Sequence, residues 1–330
     1  MDPIRVIVYG VGAMGSLMTR LLDRKPNAHV VGAVDRDPAK VGRDAGLVAG
    51  LDRALGFAVT DRPSELLDRV ACDVVMLATT AFAAEALPQI LAAVERRCAV
   101  VSIVQELFSP LGANEAIASE IDRAAKGAGV AVTAVGINPG FAMDLIPIVC
   151  SVACWELHSV TVRRRVDFSP YGPDEMVHIG AGLTAGEFRA GAASGTIGHI
   201  GLLETAAMVS RCLGLGVDEL RQTKEPLITD RTRTTSFVTV PAGRVYGFRQ
   251  NVLGVRASRP VLDLGMVGGL DPQPDDDLEL GDYTRITGVP DVELRIAREI
   301  SQKGGRGTAA VAVNTVPAIL AAAPGFRTMD

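Results

Sequence analysis

The stretch IRVIVYGVGAMGS, residues 4–16, decides the fold of the first half of the chain. Residues 4–9 form a short, apolar, β-branched run of the kind a buried strand needs. Gly10, Gly12 and Gly15 follow at the start of a helical pattern that runs through Leu22. In such a strand–turn–helix unit the first glycine makes the tight turn and the second lets the backbone approach a pyrophosphate. The third lets the helix pack closely on the strand, and the helix N-terminus faces the phosphate charge. A second strand pattern, 29–34 (HVVGAV), ends at Asp35, placed to accept hydrogen bonds from adenosine ribose hydroxyls. Gly10, Gly12, Ala13, Met14, Gly15 and Asp35 are therefore read as a dinucleotide site. Arg36 offers a partner for a 2′-phosphate or an adenine ring, whereas Asp37 repels that phosphate. The run favours NAD and leaves NADP open.

Outward from this unit the alternation continues. Residues 73–77 (DVVML) read as a strand closing on Ala78, Thr79 and Thr80, expected beside the cofactor's ribose and diphosphate. Further strands are expected over 99–104 and 130–135, with helices over 83–95 and 112–126. Continuous apolar strands between helical periods predict an α/β domain, a doubly wound parallel sheet over residues 1–140. Beyond Gly140 the pattern changes. Residues 156–168, 234–263 and 278–297 alternate polar and apolar, with a short helix over 291–300 as an alternative for the last. Helices are expected over 198–214 and 306–323. This predicts an α+β domain over 141–305, built on an open, mostly antiparallel sheet, with a C-terminal helix (about 306–330) packing back on the first domain. Asp271, Asp275, Asp276 and Asp277, interleaved with Pro272 and Pro274, read as an exposed loop.

The chain has 330 residues, a formal charge of −5 and 48% hydrophobic residues, enough for a substantial core. The mildly acidic balance argues against a nucleic-acid partner. The longest apolar stretch, 308–323, is broken by Asn314, Thr315 and Pro317 and falls short of a membrane span. Five cysteines without a CxxC pair fit reduced thiols in the cytoplasm, and no metal site is expected; Cys150 and Cys154 read as small core hydrophobes.

Ligands of open α/β sheets bind at the carboxyl ends of the strands. Two such ends offer chemistry: Glu106 after 99–104, and Asn138, Pro139 and Gly140 after 130–135. Glu106 is a lone carboxylate between apolar residues where a nicotinamide is expected. Burial would raise its pKa and let it exchange protons; the competing reading is a helix cap or surface glutamate. His178 and His199, the latter opening a helix, are expected to line a substrate pocket, while His29 and His158 read as structural. Asn314, an amide in an Ala/Val run, either ties the last helix to the cofactor loop or caps a kink before Pro317.

Several motifs coincide along the chain: GVGAMG, DVVMLATT, GINPGFAMD (136–144), GAGLTAGEF (180–188), GHIGLLET (198–205), GDYTRITGVP (281–290) and GTAAVAVNTVP (307–317). With them the chain resembles the 2,4-diaminopentanoate dehydrogenases and the native amine dehydrogenases, within the dihydrodipicolinate reductase-like superfamily. The resemblance implies a homodimer of Rossmann and α+β domains. It implies NAD- or NADP-dependent oxidative deamination of an amine or diamino acid to a ketone and ammonia, and the reverse reaction. Glu106 falls on the catalytic position, Asn138, Pro139 and Gly140 on the nicotinamide loop, and Phe141, Met143, Tyr171, His178 and His199 on pocket walls. The paired-histidine helix and lysine turn shared by true dihydrodipicolinate reductases are missing, which argues against that activity. Two alternatives remain at this stage: an NAD(P)H-dependent reductase of a cyclic imine or C=C bond, and a silent dinucleotide-binding regulator. For the homodimer, the strands over 158–168 and 244–256 are expected to present a partly apolar outer face through Val160, Val162 and Val166.

Overall fold

A computed structural model of the chain describes residues 3–276, 278–298 and 304–329. The chain divides into two compact units, one of residues up to Gly136 with Gly305–Met329, the other of Ile137–Gly304. In the first unit, β1 (Ile4–Tyr9), α1 (Ala13–Leu22) and β2 (Ala28–Val34) lead to α2 (Ala45–Val48), α3 (Pro63–Arg69) and β3 (Val74–Leu77). Then come α4 (Ala83–Glu95), β4 (Ala99–Ser102), a 3-10 turn (Gln105–Leu107), α5 (Ala113–Ala128) and β5 (Ala131–Ala134). Two C-terminal elements, α10 (Arg306–Ala321) and β14 (Gly325–Arg327), complete it.

The strands form one parallel sheet in the order β14-β5-β4-β3-β1-β2. A single parallel bridge from Val34 to Thr60 extends it beyond β2. Alternate β1 residues feed different cores. Val6 and Val8 cluster with Met18 and Leu22 of α1 and Val313 of α10, whereas Ile7 clusters with Leu66 of α3 and Ile90 of α4. All three strand residues are fully buried, so neither face tolerates a polar residue there and 6–8 read as an unbroken apolar run. The connections turn opposite ways from β1 to β2 and from β2 to β3, which opens a crevice at the carboxyl ends of β1 and β3.

The second unit comprises α6 (Leu145–Ser151), β6 (Glu156–Asp167), α7 (Pro173–Ile179), α8 (Ala185–Ser194), α9 (Leu202–Cys212) and β7 (Glu219–Ile228). It continues with β8 (Arg233–Thr234), β9 (Thr239–Val240), β10 (Val245–Arg256), β11 (Arg259–Gly269), β12 (Gly281–Val289) and β13 (Val292–Ile296). Among the described residues its main sheet runs β13-β12-β6-β11-β10-β7, antiparallel except for β6 beside β11. Helices cover one face: Val160, Val162 and Leu264 cluster with Leu202 and Val209 of α9. Val166 and Phe248 cluster with Ile179 of α7 and Phe188 of α8.

Three expectations are corrected. Val160, Val162 and Val166 point inward and are buried, because α9, α7 and α8 already cover their side of β6. The opposite face carries Thr161, Arg163 and Arg165, with Arg163 paired to Asp263. The acidic stretch is only partly an exposed loop. Asp276 is nearly buried against Arg233, whose guanidinium also lies 3.8 Å from the Tyr246 ring centroid, while exposed Asp275 pairs with Arg231; Asp277 lies outside the described residues. Residues 292–296 form a strand antiparallel to β12, in keeping with the alternation over 278–297, so the alternative short helix does not form there; its residues 299–300 lie outside the described residues. Residues 234–240 contribute only the β8–β9 ladder, and the edge strand β7 was not expected at all. Among the described residues no helix is long and apolar enough to cross a membrane.

Candidate active site

In the first unit the glycine turn is shaped by close contacts. Gly10 has a φ of +96°, and a β-carbon there would lie 2.6 Å from the Ala78 carbonyl oxygen at the end of β3. At Gly15 it would lie 1.8 Å from the Gly10 carbonyl oxygen, so only glycine lets α1 start this close to β1. Gly12 differs: a β-carbon there would meet nothing within 4 Å. The space over Gly12 is open, and α1 begins at Ala13 and Met14 without a side-chain cap or an acid in its first turn. Uncapped N–H groups at a helix start suit an anion. The residues present therefore fit a dinucleotide diphosphate.

Asp35 is tied into this turn. Its Oδ2 accepts from Val11 N–H at 2.9 Å and from Lys40 Nζ at 3.0 Å, and its Oδ1 accepts from Asp37 N–H at 2.9 Å. Burial pushes this carboxyl up, but the Asp37 N–H, Lys40 and the Val11 N–H outweigh it and hold it below the usual range. Arg36 is exposed beside it. The hydroxyls of Thr79 and Thr80 donate to Gln89 Oε1 and Glu85 Oε2 of α4, each at 2.7 Å.

Glu106 lies in the 3-10 turn just beyond β4, half-buried. Its Oε2 accepts from Ala83 N–H, the first residue of α4, at 2.8 Å, and its own N–H donates to the Ala81 carbonyl at 3.3 Å. The carboxylate thus caps α4, as the competing reading anticipated, and is locked to the loop that follows Thr80. Asn314 is corrected. It is exposed, not buried, and its Oδ1 accepts from Lys25 Nζ at 2.9 Å, beyond the C-terminus of α1 and so at the end away from the glycine turn.

In the second unit the turn Asn138–Gly140 meets His199. The His199 Nε2 lies 3.0 Å from the Asn138 carbonyl oxygen and 3.4 Å from Asn138 Nδ2. Burial lowers the His199 pKa to about 4, against the pull of the Asn138 carbonyl, with the nearby Arg164 and Lys224 charges acting the same way as burial. The ring is therefore neutral near pH 7, Nε2–H donates to the carbonyl, and Nδ1 is an acceptor. Both His199 Nδ1 and Asn138 Oδ1 are buried without a partner. Two bare acceptors of this kind call for donors from a ligand or from ordered water.

His199 does not open a helix, since α9 starts at Leu202. Its backbone is instead gripped by Gln250 of β10, which accepts from His199 N–H at 2.8 Å and donates to its carbonyl at 2.9 Å. Lys224 Nζ donates to the Ile197 carbonyl at 3.0 Å, and Gly198 N–H donates to the His178 carbonyl at 2.9 Å, which joins the two histidine segments. Asp144, fully buried, accepts from Gly140 N–H at 2.8 Å and Leu145 N–H at 2.7 Å. Burial pushes its carboxyl up to about 6 in spite of those bonds. Phe141 is exposed after the turn, and Tyr171 packs edge-on against Phe168. Met143 is corrected: it is fully buried in the core beside α9 and lines no open surface. Gln250, Lys224, Asp144 and Lys40 were missed. Gln250 alone carried a legible signal, an amide at an inward position of an alternating strand.

Residues 141–330 match the model of the 2,4-diaminopentanoate dehydrogenase C-terminal domain, and residues 4–103 that of the dihydrodipicolinate reductase N-terminus. The 2,4-diaminopentanoate dehydrogenase of Acetoanaerobium sticklandii is 33% identical, covering 100% of this chain and 93% of its own. An amine dehydrogenase of Streptomyces virginiae is 27% identical over 93% of this chain and 89% of its own. The solved amine dehydrogenase from Mycobacterium smegmatis superposes with a TM-score of 0.88 at 25% identity, over 98% of this chain and 94% of that one. A domain model covering more than half the chain and a full-length relative at this identity lead to one conclusion: the chain belongs to the 2,4-diaminopentanoate dehydrogenase family.

Proposed function

We propose that the chain is an NAD(P)-dependent oxidoreductase that deaminates an amine or diamino acid of the 2,4-diaminopentanoate type to the ketone and ammonia, and runs the reverse reductive amination. The observation that carries this is Glu106, a carboxylate locked by Ala83 N–H at the carboxyl end of β4 in a chain of this family. Gly10, Gly12, Ala13, Met14 and Gly15 cradle the diphosphate, with Asp35 and Arg36 at the adenosine ribose and Ala78, Thr79 and Thr80 along the same strand ends. Asn138, Pro139 and Gly140 receive the nicotinamide, and Phe141, Tyr171, His178 and His199 line the substrate.

The mechanism follows from the substrate's protonation. An ammonium nitrogen has no lone pair to expel a hydride, so a base must first remove one proton. Glu106 takes it on the oxygen not held by Ala83. A bound nicotinamide supplies the hydride acceptor. The resulting iminium takes up water, and the same carboxylate, having released its first proton to solvent, takes one from that water and returns it to the nitrogen of the tetrahedral adduct, so that ammonia leaves as the hydroxyl gives up its proton and the C=O forms. In the reductive direction the anionic carboxylate stabilises the cationic iminium.

Glu106→Gln is expected to keep NADH binding, read by fluorescence titration, and to lose deamination by about 10²-fold or more. Full turnover in that variant would remove Glu106 from the mechanism. The reductive rate is expected to depend on ammonia, and independence would point to an imine reductase.

The same reading includes a homodimer and a cytoplasmic setting. None of the five cysteines forms a disulfide, which suits a reducing compartment. Val152 and Trp155 are 84% and 89% exposed, and Trp155 N–H donates to the carbonyl of half-exposed Val289. A second copy would cover such a cluster. Light scattering at micromolar concentration is expected to give the mass of two chains; a single-chain mass would strike the dimer from the reading.

A further inference from the structure

We infer that Lys40 sets the cofactor choice of this chain, by compensating Asp35 where a 2′-phosphate would lie, so that NADP is bound as well as NAD. The inference rests on the reading of Gly10–Gly15 as a dinucleotide cradle and concerns the residues at its adenosine end.

An acid at the end of the second strand selects NAD when its charge stands uncompensated and its oxygens are available to the ribose. Asp35 fails the first condition and meets the second only in part, with three donors already on its oxygens. One oxygen already accepts the Asp37 N–H, the other accepts both the Val11 N–H and Lys40 Nζ. Its side chain is only 11% exposed. Asp35 therefore works as a brace between the glycine turn and the segment after β2, with its charge paired. Lys40 is the more accessible partner, 26% exposed, and its Nζ also lies 3.5 Å from Asp37 Oδ2. Asp35, Arg36, Asp37 and Lys40 together carry no formal net charge.

A 2′-phosphate is close to a dianion, and beside two bare carboxylates it would be repelled. Beside Lys40 it takes the place of one carboxylate as the ammonium's partner, and Asp35 keeps its two backbone N–H bonds. Lysine suits this exchange because its charge is compact and sits on a flexible stem that can swing from one anion to another. Exposed Arg36 stands next in sequence and adds to the attraction. NADH carries no phosphate at that carbon, so it gains nothing comparable from Lys40.

The test is a pair of dissociation constants, NADH and NADPH, by fluorescence titration of the full chain at fixed ionic strength, for wild type, Lys40→Met and Lys40→Arg. Wild type is expected to bind both. Lys40→Met is expected to weaken NADPH by about tenfold or more, the loss of one charged hydrogen bond, and to leave NADH within about threefold. Lys40→Arg is expected to retain NADPH. Wild type that binds NADH but rejects NADPH would overturn the inference alone, as would Lys40→Met with both constants weakened equally or NADPH unchanged. Wild type that binds neither would overturn the cradle reading and this inference with it.

Discussion

With no exposure to solvent, Asp144 holds Gly140 N–H with one oxygen and Leu145 N–H with the other, so the turn carrying Asn138 depends on its protonation. A carboxyl that titrates at about 6 in the fold and at about 3.9 in the unfolded chain binds more protons when folded between those values. Stability therefore falls as pH rises through that window, by up to about 3 kcal/mol, and levels off above it. Asp144→Asn cannot ionise, so the unfolding free energy of wild type minus that of the variant is expected to shrink from pH 4 to pH 7. Denaturant unfolding at both pH values checks this, and a constant difference would mean that Asp144 does not titrate in this window. The residue also marks where the sequence stops being legible. Glu106 stands out as a lone acid after an apolar strand, whereas Asp144 acts through backbone N–H groups and Lys40 through Asp35, and nothing in their spacing displays those partners.

Elements were legible where hydrophobic period and burial coincide. The strand β1 is apolar from Val6 to Val8 because both faces are covered there, and α4 was read to its ends because Ala86, Ile90 and Ala93 repeat at helical spacing and are all buried. The edge strand β7 was invisible for the opposite reason. Its residues alternate between exposed and half-buried, and Pro226 within it reads as a strand breaker, although an edge strand tolerates a missing donor. The short helix α8 shows a third case. Thr184 and Glu187 form a reciprocal capping box, with Glu187 N–H donating to Thr184 Oγ1 at 3.2 Å and Thr184 N–H to Glu187 Oε2 at 2.8 Å. That start signal is written in the sequence, but the glycines and alanines after it carry too little hydrophobic period to announce a helix. In β6 the period was read correctly and its direction was not, since alternation separates two faces without saying which one the helices cover.

At the scale of the whole chain, the first unit is closed by residues that arrive last. Ala309, Ala312, Val313, Val316 and Ile319 of α10 join Val6, Val8, Met76 and Val101 in one core, and β14 pairs with β5 at the sheet edge. The strands β1, β3 and β4 thus have one face roofed by α1 and the C-terminal helix, and no other described element supplies that roof. Deleting residues 305–329 would return those strand faces to water. Val313, Val316 and Ile319 alone represent about 1.5–3 kcal/mol each of buried apolar side chain, together comparable with the whole stability of a domain. The truncated chain is therefore expected to lose NADH binding and the hydrogen-exchange protection of β1, β3 and β4. The strands β6 and β10 have their own cores with α9 and α8, to which α10 contributes nothing, and are expected to keep theirs. Full NADH affinity after truncation would mean that α1 and the parallel ladder suffice to hold the glycine turn. Loss of protection in β6 and β10 as well would mean that the two units unfold as one.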